Sequence, residues 1–277
     1  MIYLTGASGF LGSAIYEQLI KTQECVCLSR SKLSNSSDYI LCDLNKENPN
    51  FPKVQTPSVV IHCASLIKGT PRQIQKTNVD GTRQLINWAK NEKIEKFIFI
   101  SSLDVETSQS VYACSKKESE NYLKSSGLSY CIIRPSVIFG KNDTKNITQL
   151  ITFIQKWPIL FIPNKGAFIW QPVSVSDCMD LVIDSISLNT HKNETLTLVG
   201  PQQLSFLNLV TILTQYLKTK LVVIKLPYWI ATVIKCVGYI TGKKQRVSQF
   251  MSSFQTKLPL KTSLVKIGKT KITDIFF

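Results

Sequence analysis

Three glycines constrain the fold more than any other feature of the chain. Gly6, Gly9 and Gly12 are spaced three apart in TGASGFLG, directly after the apolar run IYLT (2–5) and directly before a helical pattern carried by Leu11, Ile15, Leu19 and Ile20. A strand that turns at once into a helix needs a residue free of a Cβ at the turn, and Gly6 supplies it. Gly9 lets an anion approach the backbone, and Gly12 lets helix and sheet pack closely. The helix N-terminus then presents free N–H groups and a positive dipole end to a phosphate. Ser8, Phe10 and Leu11 lie in the same loop.

The next runs keep this alternation. ECVCLSR, YILCDL, PSVVIHCAS (58–65), KFIFISS (96–102) and SYCIIRPSVIFG (129–140) read as strands, with the helical stretches NVDGTRQLINWAKN and VYACSKKESENYLKSSG among them. The strands are apolar throughout and do not alternate, as expected where both faces are covered. The fold class is therefore α/β, a doubly wound parallel sheet with helices on both sides. After about residue 141 the pattern changes to TQLITFIQKW, a strand-and-loop stretch, and further helices and strands. This predicts a sheet domain over 1–142, to which a later strand or helix can return, and a smaller lobe over 143–277.

The length of 277 residues and 44% hydrophobic content allow a sizeable core, and the net charge of +15 favours anionic ligands. The lysines are scattered, with no arginine-rich block, so nucleic acid is not expected. Eight cysteines form no C-x-x-C pair, and most sit in apolar runs, which suggests reduced, buried thiols in the cytoplasm. Two histidines, His62 and His191, make a zinc site an unlikely reading. The opening residues lack the basic and long apolar segments of a secretory leader. Residues 226–246, LPYWIATVIKCVGYITGKKQR, form a helical apolar stripe too short to span a bilayer. They suit a membrane-surface helix, or a helix packed on the core or on a second copy in a homodimer, with packing favoured.

A glycine loop in this context marks a dinucleotide site. At the end of strand two such a site uses an acid against the ribose 2′-hydroxyl, and here that place holds SRSK, with Arg30 suited to a 2′-phosphate. NADP(H) is thus expected over NAD(H). Asp43 is placed to accept from the adenine amino group, with Leu44 against the ring. Tyr112 and Lys116, four apart in SQSVYACSKKESE, share a helix face; on spacing alone they are a weak signal for an acid/base pair.

Eight segments in order give the pair its weight: TGASGFLG, CDL, IHCAS (61–65), NVDGT (78–82), FISS, YACSK, RPSVIFG (134–140) and QPVSVSD (171–177). With them the chain resembles the short-chain dehydrogenase/reductase superfamily, in its extended and atypical branch of NAD-dependent epimerase/dehydratase type. The resemblance implies a Rossmann fold with a small C-terminal substrate lobe. It implies Tyr112 as general acid/base, Lys116 holding the nicotinamide ribose and lowering the tyrosine pKa, and Ser102, with Ser101 as the close alternative, bonding the substrate oxygen. It further implies cofactor contacts from Cys63, Ala64, Ser65 and Asn78, and from Pro135, Ser136 and Val137 beside the nicotinamide.

The insert LDVETSQSV between Ser102 and Tyr112 is only nine residues, shorter than sugar-nucleotide epimerases usually carry. The expected function is oxidoreductase or epimerase chemistry on a secondary hydroxyl or ketone of a small molecule, a sugar nucleotide among the candidates. The alternative is a non-catalytic NADPH-binding structural or assembly protein at a membrane or in a complex, as the atypical branch also includes.

Overall fold

The computed structural model describes residues 1–32, 38–54, 57–143, 147–163, 169–226, 264–272 and 274. The first half runs β1 (Ile2–Thr5), α1 (Phe10–Leu19), β2 (Cys25–Ser29), β3 (Tyr39–Leu41), β4 (Val59–His62), α2 (Pro71–Gln75), α3 (Gly81–Asn91), β5 (Lys96–Ile100), α4 (Asp104–Thr107), α5 (Val111–Ser125), β6 (Tyr130–Pro135) and β7 (Ile138–Phe139). The second half adds α6 (Ile147–Lys156), β8 (Ile159–Pro163), β9 (Ile169–Trp170), β10 (Val173–Ser174), α7 (Val175–Asp184), β11 (Glu194–Val199), β12 (Leu204–Ser205), α8 (Phe206–Leu217), β13 (Val222–Leu226) and β14 (Leu264–Ile267).

Eight strands form one sheet in the order β14-β11-β6-β5-β4-β1-β2-β3, with every neighbouring pair parallel. The central strands feed their two faces into separate cores, which is why the sequence shows no alternation there. On one face Leu11, Ile15 and Leu19 of α1 and Cys178 and Val182 of α7 pack on Leu4, Ile61, Ile98 and Ile133. On the other, Leu85, Ile86 and Ala89 of α3 and Leu123 of α5 pack on Tyr3, Val60, Phe97 and Phe99. The strand order reverses between β1 and β4, where Thr5 stands beside His62. Ligands of open parallel sheets bind in the crevice beyond the carboxyl ends at such a point.

After residue 142 the chain leaves the sheet and later returns to it, the return that the sequence reading allowed for. α7 packs on the sheet, and β11 and β14 extend it beyond β6. What stands apart is a lobe of α6, α8 and the parallel ribbon β8–β13, closed around Phe139, Ile147, Ile154, Ile162, Leu209 and Leu213. Before α3, residues 76–80 make a π-helical turn that joins α2 to α3. Thr70 caps α2 with a reciprocal capping box to Gln73. Among the described cysteines, Cys25, Cys27, Cys42, Cys131 and Cys178 are buried, Cys63 is half-buried and Cys114 is exposed. Among the described residues no group of His, Cys, Asp and Glu could hold a metal ion, and no helix is long and apolar enough to cross a membrane. The helix expected over 226–246 lies, from residue 227, outside the described residues.

Candidate active site

The glycine loop lies at the carboxyl end of β1. Gly6 has φ +77°, and a Cβ on it would stand 2.6 Å from the Ala64 nitrogen, so both conformation and space demand glycine. Gly9 caps α1 with extended backbone and donates its N–H to the Gly6 carbonyl at 2.9 Å. No side chain caps this helix. A Cβ on Gly9 would meet just the Gly6 oxygen, at 3.2 Å, so its absence keeps clear the space in front of the helix N-terminus. A Cβ on Gly12 would lie 2.1 Å from the same oxygen, so the third glycine packs the helix on the turn itself, a closer contact than the helix-to-sheet one expected. Leu11 is buried in the core, which leaves its backbone to face the loop, and Ser8 is exposed. These features fit a dinucleotide's pyrophosphate.

Arg30 follows β2 and is exposed, and the carboxyl edge there carries no acid between Ser29 and Lys32. Asp43 lies just past β3, where one carboxylate oxygen accepts from the Asn45 N–H at 3.0 Å. Leu44 is buried, and a Cβ on Gly81 would touch its Cβ and carbonyl oxygen at 3.0 Å, which accounts for the glycine of NVDGT.

Beyond β4, the Thr5 carbonyl accepts from Cys63 N–H and the Thr5 hydroxyl from Ala64 N–H. Asn78 stands behind this loop. It is 1% exposed, and its amide accepts from Leu66 N–H and donates to Leu66 O and Ser115 Oγ. Both of its N–H donors are thereby used, and they hold the 63–66 loop.

Tyr112 and Lys116 start α5, which Ser110 caps by accepting from Ala113 N–H. The Tyr112 phenol lies near Ser65. Burial first, and the nearby Asp104 charge second, push its pKa up, against a lowering by Ser65. The charge acting on Tyr112 here is thus an acid. Lys116 points at the end of β5. Its ammonium donates to the Ile100 carbonyl at 2.5 Å and stands 4.1 Å from the Phe99 ring centroid. Burial lowers its pKa to about 7, with Glu120 and Cys63 working the other way.

The two candidate serines separate cleanly. Ser101 is buried and donates to Glu120 at 2.6 Å. Ser102 is half-buried and bonds Asp104, accepting from its N–H at 3.2 Å and contacting its carboxylate. Ser102 is thus tied to Asp104, whose charge acts on Tyr112. Pro135 is buried, while Ser136 donates to the Gln171 carbonyl at 2.6 Å and Val137 accepts from Val173 N–H, which ties β6 and β7 to the lobe side.

Sequence reasoning missed the layer beneath. Arg134 grips Glu120 with two bonds, Nε to Oε1 at 2.8 Å and Nη2 to Oε2 at 2.5 Å, and also pairs with Glu106 of α4. The insert between Ser102 and Tyr112 is thus a short helix pinned from below. Glu120, four residues beyond Lys116 on one helix face, is the part of this layer that spacing could have revealed. His62 is fully buried, with Nδ1 2.6 Å from Thr5 Oγ1 and Nε2 2.8 Å from Thr82 Oγ1.

Residues 2–194 match the model of the NAD dependent epimerase/dehydratase family. The UDP-glucose 4-epimerase of Vibrio cholerae is 24% identical over 292 aligned positions, covering 93% of this chain and 87% of the relative. Among solved structures, MoeE5 in complex with UDP-glucose and NAD superposes with a TM-score of 0.70 at 19% identity, over 82% of this chain and 85% of that one. DesIV, a dTDP-glucose 4,6-dehydratase from Streptomyces venezuelae with NAD bound, superposes with a TM-score of 0.68 at 19% identity, over 82% and 84%.

Proposed function

The chain belongs to the NAD dependent epimerase/dehydratase family, and on that premise we propose that it is a nicotinamide-dependent enzyme acting on a secondary hydroxyl of a sugar nucleotide. The observation that carries the reading is the placing of Tyr112 at the start of α5, with Lys116 one helical turn on and the Ser102–Asp104 pair near enough for the Asp104 charge to act on the phenol. When bound, the nicotinamide supplies the hydride acceptor and donor. Ser102 donates to the substrate oxygen, and Tyr112 moves the proton of that oxygen. Lys116 holds the nicotinamide ribose. The V. cholerae relative is named for epimerisation and DesIV for dehydration, both of sugar nucleotides.

For the cofactor we favour NADP(H) over NAD(H). Arg30 is exposed at the end of β2 and can pair with a 2′-phosphate, whereas no carboxylate stands there to bind a 2′-hydroxyl. Arg30→Ala should weaken NADPH binding roughly ten- to a hundredfold and leave NADH nearly unchanged. Equal losses for both would remove the preference.

The test of function is turnover. Purified protein with oxidised cofactor is given UDP-glucose and dTDP-glucose, and C4 inversion or a 4-keto product is followed by NMR. Tyr112→Phe should cut the rate by about 10²–10⁴. One observation favours a second reading, a protein that binds cofactor without turnover at a membrane or in a complex: Tyr112 is held protonated by burial and by Asp104. Cofactor binding with no conversion of either sugar nucleotide would select it.

A further inference from the structure

We infer that the outer face of the β8–β13 ribbon, with the end of α6 beside it, is a docking surface for an anionic lipid bilayer. The two strands pair Val222 with Ile159 and Ile224 with Phe161. Alternation turns Leu160, Ile162 and Val223 into the lobe core and these four outward. All four are exposed, Phe161 by 57% and Val222 by 59%. Trp157, 53% exposed, joins α6 to β8, and Phe153 lies four residues before it. Six large apolar side chains on one ribbon and an adjoining helix end exceed the scattered exposure of ordinary surfaces.

The charge around them selects the partner. Residues 144–176 and 195–273 hold 15 basic residues and no acidic one, whereas the rest of the chain holds 18 of each. Seven of those 15 lie among the described residues of this lobe and of the sheet end beside it. Lys156, Lys218, Lys220 and Lys225 are exposed next to or within the ribbon, and the Lys156 ammonium lies 5.9 Å from the Trp157 ring centroid. Apolar side chains with an aromatic at their edge and lysines around them match the layered chemistry of a bilayer interface: acyl chains, then headgroups, then anionic charge.

Two other occupants fit less well. A second copy related by a two-fold axis would set this acid-free surface against itself. Residues 227–263, which follow β13 directly, add six basic residues and no acidic one, so their cover would stack like charge on like charge.

The test is co-sedimentation of the full chain with vesicles of phosphatidylcholine alone and with about one part in three phosphatidylglycerol, at low and raised salt. Binding to the anionic vesicles should exceed that to neutral ones by at least about tenfold and fall with salt. Both Trp157→Ser/Phe161→Ser and Lys156→Glu/Lys220→Glu should lower it by at least about tenfold. Melting temperature and NADPH binding, read in parallel, should stay at wild-type values in at least the lysine pair, whose side chains are exposed. Equal binding to both vesicle types, or none to the anionic ones, overturns the assignment. So does anionic binding that neither variant reduces, which places the contact elsewhere in the chain. A dimer in sedimentation velocity that Phe161→Ser dissociates would assign the face to a second copy instead.

Discussion

The Lys116 ammonium donates to the carbonyl oxygen of Ile100, the last residue of β5, at 2.5 Å. A buried cation held by one neutral carbonyl and an aromatic face is poorly compensated, and its pKa falls to about 7, chiefly through burial. A ligand that hydrogen-bonds the ammonium favours the charged form. Below pH 7 the lysine already carries its proton, so nothing is taken up on binding. Above pH 7 a growing share of the free protein must gain one. Calorimetry of NADPH binding in buffers of different ionisation enthalpy should therefore show proton uptake rising from near zero at pH 6 towards one per site by about pH 8.5. Lys116→Met should abolish the uptake. Uptake that persists in that variant would place the proton on another group.

The glycines should fail in different ways. Gly12→Ala places a Cβ against the Gly6 oxygen, and Gly6→Ala combines a left-handed φ with a clash at Ala64 N. Both should cost several kcal/mol or prevent folding. Gly9→Ala meets one oxygen at 3.2 Å and should keep its melting temperature within a few degrees. Its added methyl occupies the space before the helix N-terminus, so NADPH affinity should drop by at least about tenfold. Thermal melts with and without cofactor separate the two effects, and a Gly9→Ala protein with normal affinity would deny that the pyrophosphate sits there.

Ser101 and Ser102 are neighbours with opposite commitments. Ser101 belongs to the buried Glu120–Arg134 pair, and Ser102 to Asp104 at the site edge. Ser102→Ala should lower kcat about a hundredfold with little change in stability. Ser101→Ala should cost about 1–2 kcal/mol of stability and leave the pH profile of kcat in place. Glu120→Gln strips the charge from a carboxylate that Arg134 grips twice, and should cost on the order of 3 kcal/mol. Urea unfolding beside steady-state rates checks all three. If Ser101→Ala instead gave the larger rate defect, the two serines would have to exchange roles.

Part of this was legible in advance and part was not. Gly6, the apolar runs and the Tyr112–Lys116 spacing are local patterns, and each follows from a nearby steric or packing demand. β11 reads as a strand from ETLTLV, but its seat beside β6 does not, because a parallel partner is reached through a long crossover that no short pattern records. β14 is only four residues, LVKI, exposed along its whole length, too short a run to mark a sheet strand by itself. The division at residue 142 marked where the pattern loosens, whereas the chain itself crosses from sheet to lobe and back. In the sequence Glu120 and Arg134 are single charges on a helix and at the end of a strand. Their burial depends on each other, and each becomes tolerable only when the fold brings the partner within reach.

His62 provides the last test, because its ring is sealed at the point where β1 and β4 part. Thr5 and Thr82 hold its two nitrogens, and the ring stacks on Phe99 at 5.5 Å between centroids. Burial first, and the Lys116 charge second, lower its pKa from the ordinary 6.5 to about 3. The folded state thus refuses a proton that the unfolded state accepts. Stability carries no penalty from this group above pH 6.5, falls as pH drops below it, and levels off only near pH 3. The slope contributed approaches about 1.4 kcal/mol per pH unit within that window. His62→Gln can keep a bond to Thr5 or Thr82 but cannot titrate. Its unfolding free energy should start lower at pH 7 and then decline less steeply than wild type between pH 6 and 4, by up to one proton in slope. Parallel curves for the two proteins in urea titrations across that range would mean that the imidazole is protonated in the native state, and that the sealed site opens at the pH where it is measured.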